Sequence, residues 1–128
     1  PFPSAPGSLR LAVKEPPEIP EDDPKLWANV DKFGADPTGK LDSSAAIQKA
    51  IDSGATTIFL PGSYSMLSTV DIRGNVRRVV GVGGMIDYFG KTKPDFRIVD
   101  GSASAVSFEH FAYIHGGVEI DTKRTVVF

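Results

Sequence analysis

Residues 42–54 read Asp42-Ser43-Ser44-Ala45-Ala46-Ile47-Gln48-Lys49-Ala50-Ile51-Asp52-Ser53-Gly54. Asp42, Ser43 and Ser44 are all residue types that favour a helix N-cap. Ala46, Ile47, Ala50 and Ile51 recur at helical spacing and form one apolar stripe. Gly54 is placed to close the segment in a left-handed turn. The pattern predicts a helix over residues 43–53, and no second helix pattern follows it.

Downstream, short apolar runs alternate with turn residues. The runs are 57–60, 64–72, 76–82, 96–99, 106–114, 118–120 and 125–128, and the turns between them are rich in glycine. Ile58, Val79 and Ile98 stand 21 and 19 residues apart. A period near 20 with about three short strands in each repeat suggests a β-solenoid, with a sandwich as the alternative. Met66, Val70 and Ile72 are expected to share a face, as are Val118 and Ile120. Between Phe108 and Phe111 the apolar set changes phase, which implies a bulge or a bend.

Upstream the composition differs. Seven of the 10 prolines fall within the first 24 residues. Proline removes backbone donors and biases its predecessor to extended conformations. Residues 1–25 are therefore expected to be an extended, helix-free arm, read as a linker or wrapping tail before a ligand for an aromatic groove. Residues 26–128 are the globular part. The 128 residues suffice for one ordinary domain. Fourteen basic residues against 16 acidic ones give a net charge of −2, so no nucleic-acid platform is expected. Cysteine is absent, which excludes disulfides, a thiol nucleophile and Cys-ligated zinc. No apolar run approaches the roughly 18–20 residues of a membrane span. The chain begins at Pro1 without a signal-peptide pattern and reads as an excerpt or a processed product.

Three blocks carry a resemblance. They are Asn29-Val30-Asp31-Lys32-Phe33-Gly34-Ala35, the helix block Asp42 to Asp52, and Ile58-Phe59-Leu60-Pro61-Gly62-Ser63-Tyr64. In that order and spacing they resemble the N-terminal opening segment of the pectate-lyase-like right-handed parallel β-helix superfamily, which includes polygalacturonases, exo-β-1,3-glucanases and tailspike depolymerases. Asn75-Val76 and Gly81-Val82-Gly83 resemble the following rung. The resemblance covers about residues 27–84 and implies a short or truncated solenoid whose single N-terminal helix covers its open apolar end. The loop Thr38 to Ser44 departs from the family pattern by two acidic positions, which lowers the expectation of an ion site there.

The resemblance further implies the N-terminal segment of a secreted or cell-surface, carbohydrate-active protein. That parent protein would be a polysaccharide hydrolase or lyase, and this segment would lack a complete active site. The alternative is a non-catalytic carbohydrate-binding or structural module that assembles through its open end. The segment finishes on the apolar run Thr125-Val126-Val127-Phe128, so further chain or self-association is expected there.

Among the acids, Glu119 and Asp121 alternate with Val118 and Ile120. Residues two apart on a strand share a face, with side chains roughly 6.5–7 Å apart. That lies near the range of an inverting glycosidase pair, roughly 6.5–9.5 Å. These two are the candidate catalytic carboxylates; the plainer reading is a solvated strand face beside Lys123 and Arg124. A lyase needs a base and a cation to stabilise an enolate. Arg124 is the candidate cation, and His110 and His115 lie nearby. Glu109 and His110 would point to opposite faces of a regular strand. Tyr88 and Phe89 are the candidate aromatic platform for a sugar ring, ahead of Trp27 and Tyr113. No metal site and no cofactor are expected: Glu119 and Asp121 fall short of a calcium shell, and Gly81-Val82-Gly83-Gly84-Met85-Ile86 lacks the third glycine of a dinucleotide fingerprint.

Overall fold

The computed structural model describes residues 23–86 and 92–128. The expected arm at residues 1–25 therefore lies almost wholly outside the described residues. At its described end, Pro24–Leu26 form a single 3-10 turn.

The helix expected over 43–53 is α1, Ser44–Asp52. Its stripe Ala46, Ile47, Ala50 and Ile51 is buried in the core. It packs against strands β1 (Ala28–Asn29) and β4 (Val70–Gly74) and against a 3-10 turn at Val30–Phe33. Gly54 follows with φ of +92°, as its left-handed closing role requires. The capping differs in detail. Ser43 occupies the N-cap, but its hydroxyl accepts the Asp36 N–H at 2.9 Å. Asp42, one residue earlier, accepts the N–H groups of Ser44 and Leu67, each at 3.0 Å. The acid thus ties the helix start to the corner after β3.

The remaining strands are β2 (Thr57–Leu60), β3 (Tyr64–Ser65), β5 (Arg78–Gly81), β6 (Gly84–Ile86), β7 (Phe96–Gly101), β8 (Ala105–Glu109), β9 (Tyr113–Ile114), β10 (Val118–Ile120) and β11 (Thr125–Val127). They form three sheets: β1-β2-β5-β8-β11, β3-β6-β9 and β4-β7-β10. Every pairing is parallel. From β2 onward the chain visits the three sheets in the same order on each pass, and each new strand lands beside the strand of the previous pass. This mostly-strand arrangement, with one α-helix among the described residues, is compatible with a parallel β-helix.

Two predicted runs are divided by corners. Residues 64–72 split into β3 and β4, which lie in different sheets, and Met66 sits buried in the corner between them. Residues 106–114 split at His110, whose φ is +63°. This is the expected change of phase: β8 ends, the chain turns, and Phe108 and Phe111 meet inside with ring centroids 6.0 Å apart.

The periodicity reading needs one correction. Ile58 and Val79 are stacked neighbours in the first sheet, and the next residue of that column is Phe108. Ile98 belongs to the third sheet, between Ile72 and Ile120. The repeat lengthens where corners carry extra residues, so a constant spacing selects the wrong partner.

Glycine permits the closest contacts between passes. A Cβ on Gly84 would lie 2.5 Å from the Tyr113 carbonyl oxygen and 2.6 Å from its ring. The Gly81–Gly84 run thus lets neighbouring passes approach closely.

The last strands leave apolar surface uncovered among the described residues. Ile120 is 54% exposed, although it aligns with the buried Ile98, and Phe128 is 70% exposed.

Candidate functional site

Three triplets build the outer face of the third sheet: Val70-Asp71-Ile72, Phe96-Arg97-Ile98 and Val118-Glu119-Ile120. In each, the flanking apolar residues are aligned with one another and the charge stands between them. Successive strand residues point to opposite faces. Since Val70, Ile72, Phe96 and Ile98 are buried in the core, Asp71, Arg97 and Glu119 form one outward column.

Within this column Arg97 grips Asp71 at two points, Nε to Oδ1 at 3.0 Å and Nη2 to Oδ2 at 3.2 Å. The neighbouring Arg73 reaches Asp71 at 3.8 Å and holds Asp52 at 2.8 Å. The result is an ion ladder running from α1 across two strands. The Asp71 hydrogen bond, followed by the charges of Asp71, Glu119 and Asp121, raises the pKa of the Arg97 guanidinium. Asp71, Arg97 and Glu119 also line a groove of 520 Å³. Lys93 and Pro94 lie along it together with the corner residues Leu67 to Thr69. The Thr69 hydroxyl donates to the Pro94 carbonyl at 2.7 Å and ties the two walls together.

Glu119 and Asp121 are both exposed. The register that turns Val118 and Ile120 toward the core puts Glu119 on the outer face, and Asp121, two residues on, follows β10. The Asp121 N–H donates to the Ile98 carbonyl at 2.8 Å. Glu109 lies elsewhere, on β8 in the first sheet. Arg78 holds it at 2.8 and 3.0 Å, and the Ser107 hydroxyl donates to it at 2.6 Å. These bonds, with Arg78 foremost, depress its pKa. Arg78 is itself nearly buried and lies 5.4 Å over the Trp27 ring. Trp27 packs on Phe59 at 5.6 Å. Trp27 and Glu109 thus serve one packed cluster of the first sheet.

Arg124 is turned inward. It donates from Nε and Nη2 to the Val99 carbonyl, from Nη1 to the Val76 carbonyl and from Nη2 to the Ile72 carbonyl, all within 3.1 Å. Burial lowers its pKa. Its donors tie together β4, the turn that follows it and β7, and its edge still borders a surface depression beside Asp100. His110 is the exposed corner residue, not a strand partner of Glu109. His115 is exposed and stacks on Tyr113 at 4.7 Å. Tyr88 and Phe89 lie outside the described residues. No group of three or more potential metal ligands occurs among the described residues.

The sequence reading missed Asp71, Lys93 and Arg97. Their signal was present in the repeated apolar-charge-apolar triplet, at intervals of 26 and 22 residues between Asp71, Arg97 and Glu119.

Residues 27–86, just under half of the chain, match a family model described as rhamnogalacturonase A/epimerase, pectate lyase-like. That span takes in α1 and the strands β1 to β6. No curated protein and no solved structure matches the chain.

Proposed function

We propose that the described residues are the opening passes of a right-handed parallel β-helix in a carbohydrate-active protein, and that the outer face of the third sheet binds polysaccharide. The observation that carries this reading is the charged column Asp71-Arg97-Glu119, set in register on three neighbouring strands and floored into a groove. Such a face offers a run of donors and acceptors along the stacking direction, which suits an extended polymer of hydroxyl-rich units. The pectate-lyase-like match over residues 27–86 supports the same class.

Binding is favoured over catalysis within this segment. A general acid for glycoside cleavage is kept protonated by burial in apolar surroundings. Glu119 and Asp121 are both exposed, and the other acid considered, Glu109, is committed to Arg78 on another sheet. Hydrolase or lyase chemistry is therefore not assigned to these acids. Secretion or display at the cell surface goes with this reading. The test is a panel of polysaccharides in a binding assay and a depolymerisation assay. Binding without cleavage, weakened by Glu119→Gln, is expected. Cleavage abolished by Glu119→Gln or Asp121→Asn would instead make these two acids the catalytic pair.

A second reading, a structural module that assembles through its apolar edge, is favoured by the exposure of Ile120, Val127 and Phe128. It predicts a concentration-dependent increase in mass that Phe128→Asp abolishes.

A further inference from the structure

We propose that the groove on the third sheet takes an uncharged glycan and discriminates against polyuronates. This inference rests on the polysaccharide reading and adds the charge class of the sugar. Two acidic and two basic side chains line the groove: Asp71, Glu119, Lys93 and Arg97. Their charges cancel. Asp71 and Arg97 neutralise each other directly through their two-point contact. Lys93 and Glu119 remain, of opposite sign and both exposed; Glu119 acts on Arg97 through its charge.

A polyuronate brings a carboxylate on every residue. It is drawn to surfaces with unopposed positive charge, whose field concentrates it. Among the described residues this groove sets the exposed cation Lys93 and the exposed anion Glu119 in the same space. The attraction and the repulsion offset each other, and the loss of carboxylate hydration is left uncompensated. A neutral sugar meets the opposite situation. Each of its hydroxyls both donates and accepts, so Glu119 can accept from it and Lys93 can donate to it. Both are charge-assisted bonds, the stronger kind. Leu67, 54% exposed, and Pro94 offer apolar surface to the C–H faces of a sugar ring. The groove volume of 520 Å³ lies within the range of small-ligand sites.

The test is calorimetric titration of the 128-residue chain at low and high salt. The probes are gluco-, xylo-, manno- and galacto-oligosaccharides, together with oligogalacturonate in its free-acid and fully methyl-esterified forms. The expected result is binding of a neutral member that salt leaves unchanged and that Glu119→Gln weakens by roughly tenfold, as for a lost charge-assisted bond. Lys93→Ala is expected to weaken the same ligand. Both positions are exposed, so circular dichroism should show an unaltered fold. Tighter binding of the free-acid oligogalacturonate, falling with salt and with Lys93→Ala, overturns the inference and leaves the polysaccharide reading standing. Equal binding of the esterified and free-acid forms overturns it as well. If no member of the panel binds, the polysaccharide reading itself fails, and the inference fails with it.

Discussion

The hydroxyl of Tyr64 donates to Oδ1 of Asp31 at 2.6 Å, across 33 residues of sequence. The same hydroxyl oxygen accepts the Gly62 N–H at 3.1 Å. Two of the blocks that carry the family resemblance meet at this point, which gives a physical reason for finding them together. Asp31 lies in the 3-10 turn after β1, and Tyr64 opens β3 with its ring fully buried. The bond locks the turn beneath α1 to the first corner of the strands.

Tyr64→Phe should lower stability by about 1–2 kcal/mol, because it leaves a carboxylate oxygen and an N–H without their partner. Burial, and then the bond to Asp31, push the Tyr64 pKa well above the usual tyrosine range. Below about pH 10 both the folded and the unfolded chain keep this proton. Above that, only the unfolded chain releases it, so stability falls as pH rises. Urea titrations from pH 8 to 11 should show a steeper alkaline loss for the parent protein than for the variant.

Ile47→Asp should prevent folding or cause aggregation. Ile47 is fully buried between α1 and the strands, and a carboxylate there would be desolvated without a partner, a cost of several kcal/mol. A variant that melts at the parent temperature would mean that the helix does not cover the core. Ile51→Asp is expected to behave alike.

Arg124→Ala should cost about 2–3 kcal/mol in urea denaturation, because three backbone carbonyls lose a charged donor. Arg124→Lys should recover little of it, since one ammonium cannot span the fork that reaches Ile72, Val76 and Val99. Gly101→Ala should mimic the loss: a Cβ there would stand 2.7 Å from the Gly74 carbonyl oxygen and 3.0 Å from Arg124 Nη1. Parent-like stability of Arg124→Ala would free this residue for a role in binding.

Acid should destabilise the fold through depressed carboxyls. Glu109 is held low chiefly by Arg78, Asp52 chiefly by Arg73, Asp36 chiefly by the Thr38 hydroxyl and Asp100 chiefly by the Thr122 hydroxyl. A lowered folded pKa adds stability that is present above the unfolded value, about 4, and is lost as pH falls through the folded value. Glu109→Gln should flatten that acid limb when melting temperature is followed from pH 6 to 2.

The candidate site was legible only in part. Alternation around Val118 and Ile120 correctly put Glu119 on an outer face, because a two-residue period is a local property. The column that Glu119 joins was not legible. Asp71, Arg97 and Glu119 are brought together by register between passes, and the intervening corners differ in length. Arg124 was expected to reach outward beside Lys123. The carbonyls that turn it inward come from residues 25 to 52 positions earlier, and a local pattern carries no trace of them.

The sequence by itself determined the helix and its stripe, the positions of most strands, the phase change at Phe108–Phe111 and the motif blocks at Asp31 and Tyr64. Each follows from the chemistry of neighbouring residues: caps, period, turn formers. Only the tertiary structure decided which strand stacks on which, and hence that Ile98 pairs with Ile72 and Ile120 rather than following Val79. It also decided which charges share a groove and which are spent on holding the fold. Those outcomes depend on contacts between residues far apart in the chain, whose spacing is set by corners of variable length rather than by any fixed period.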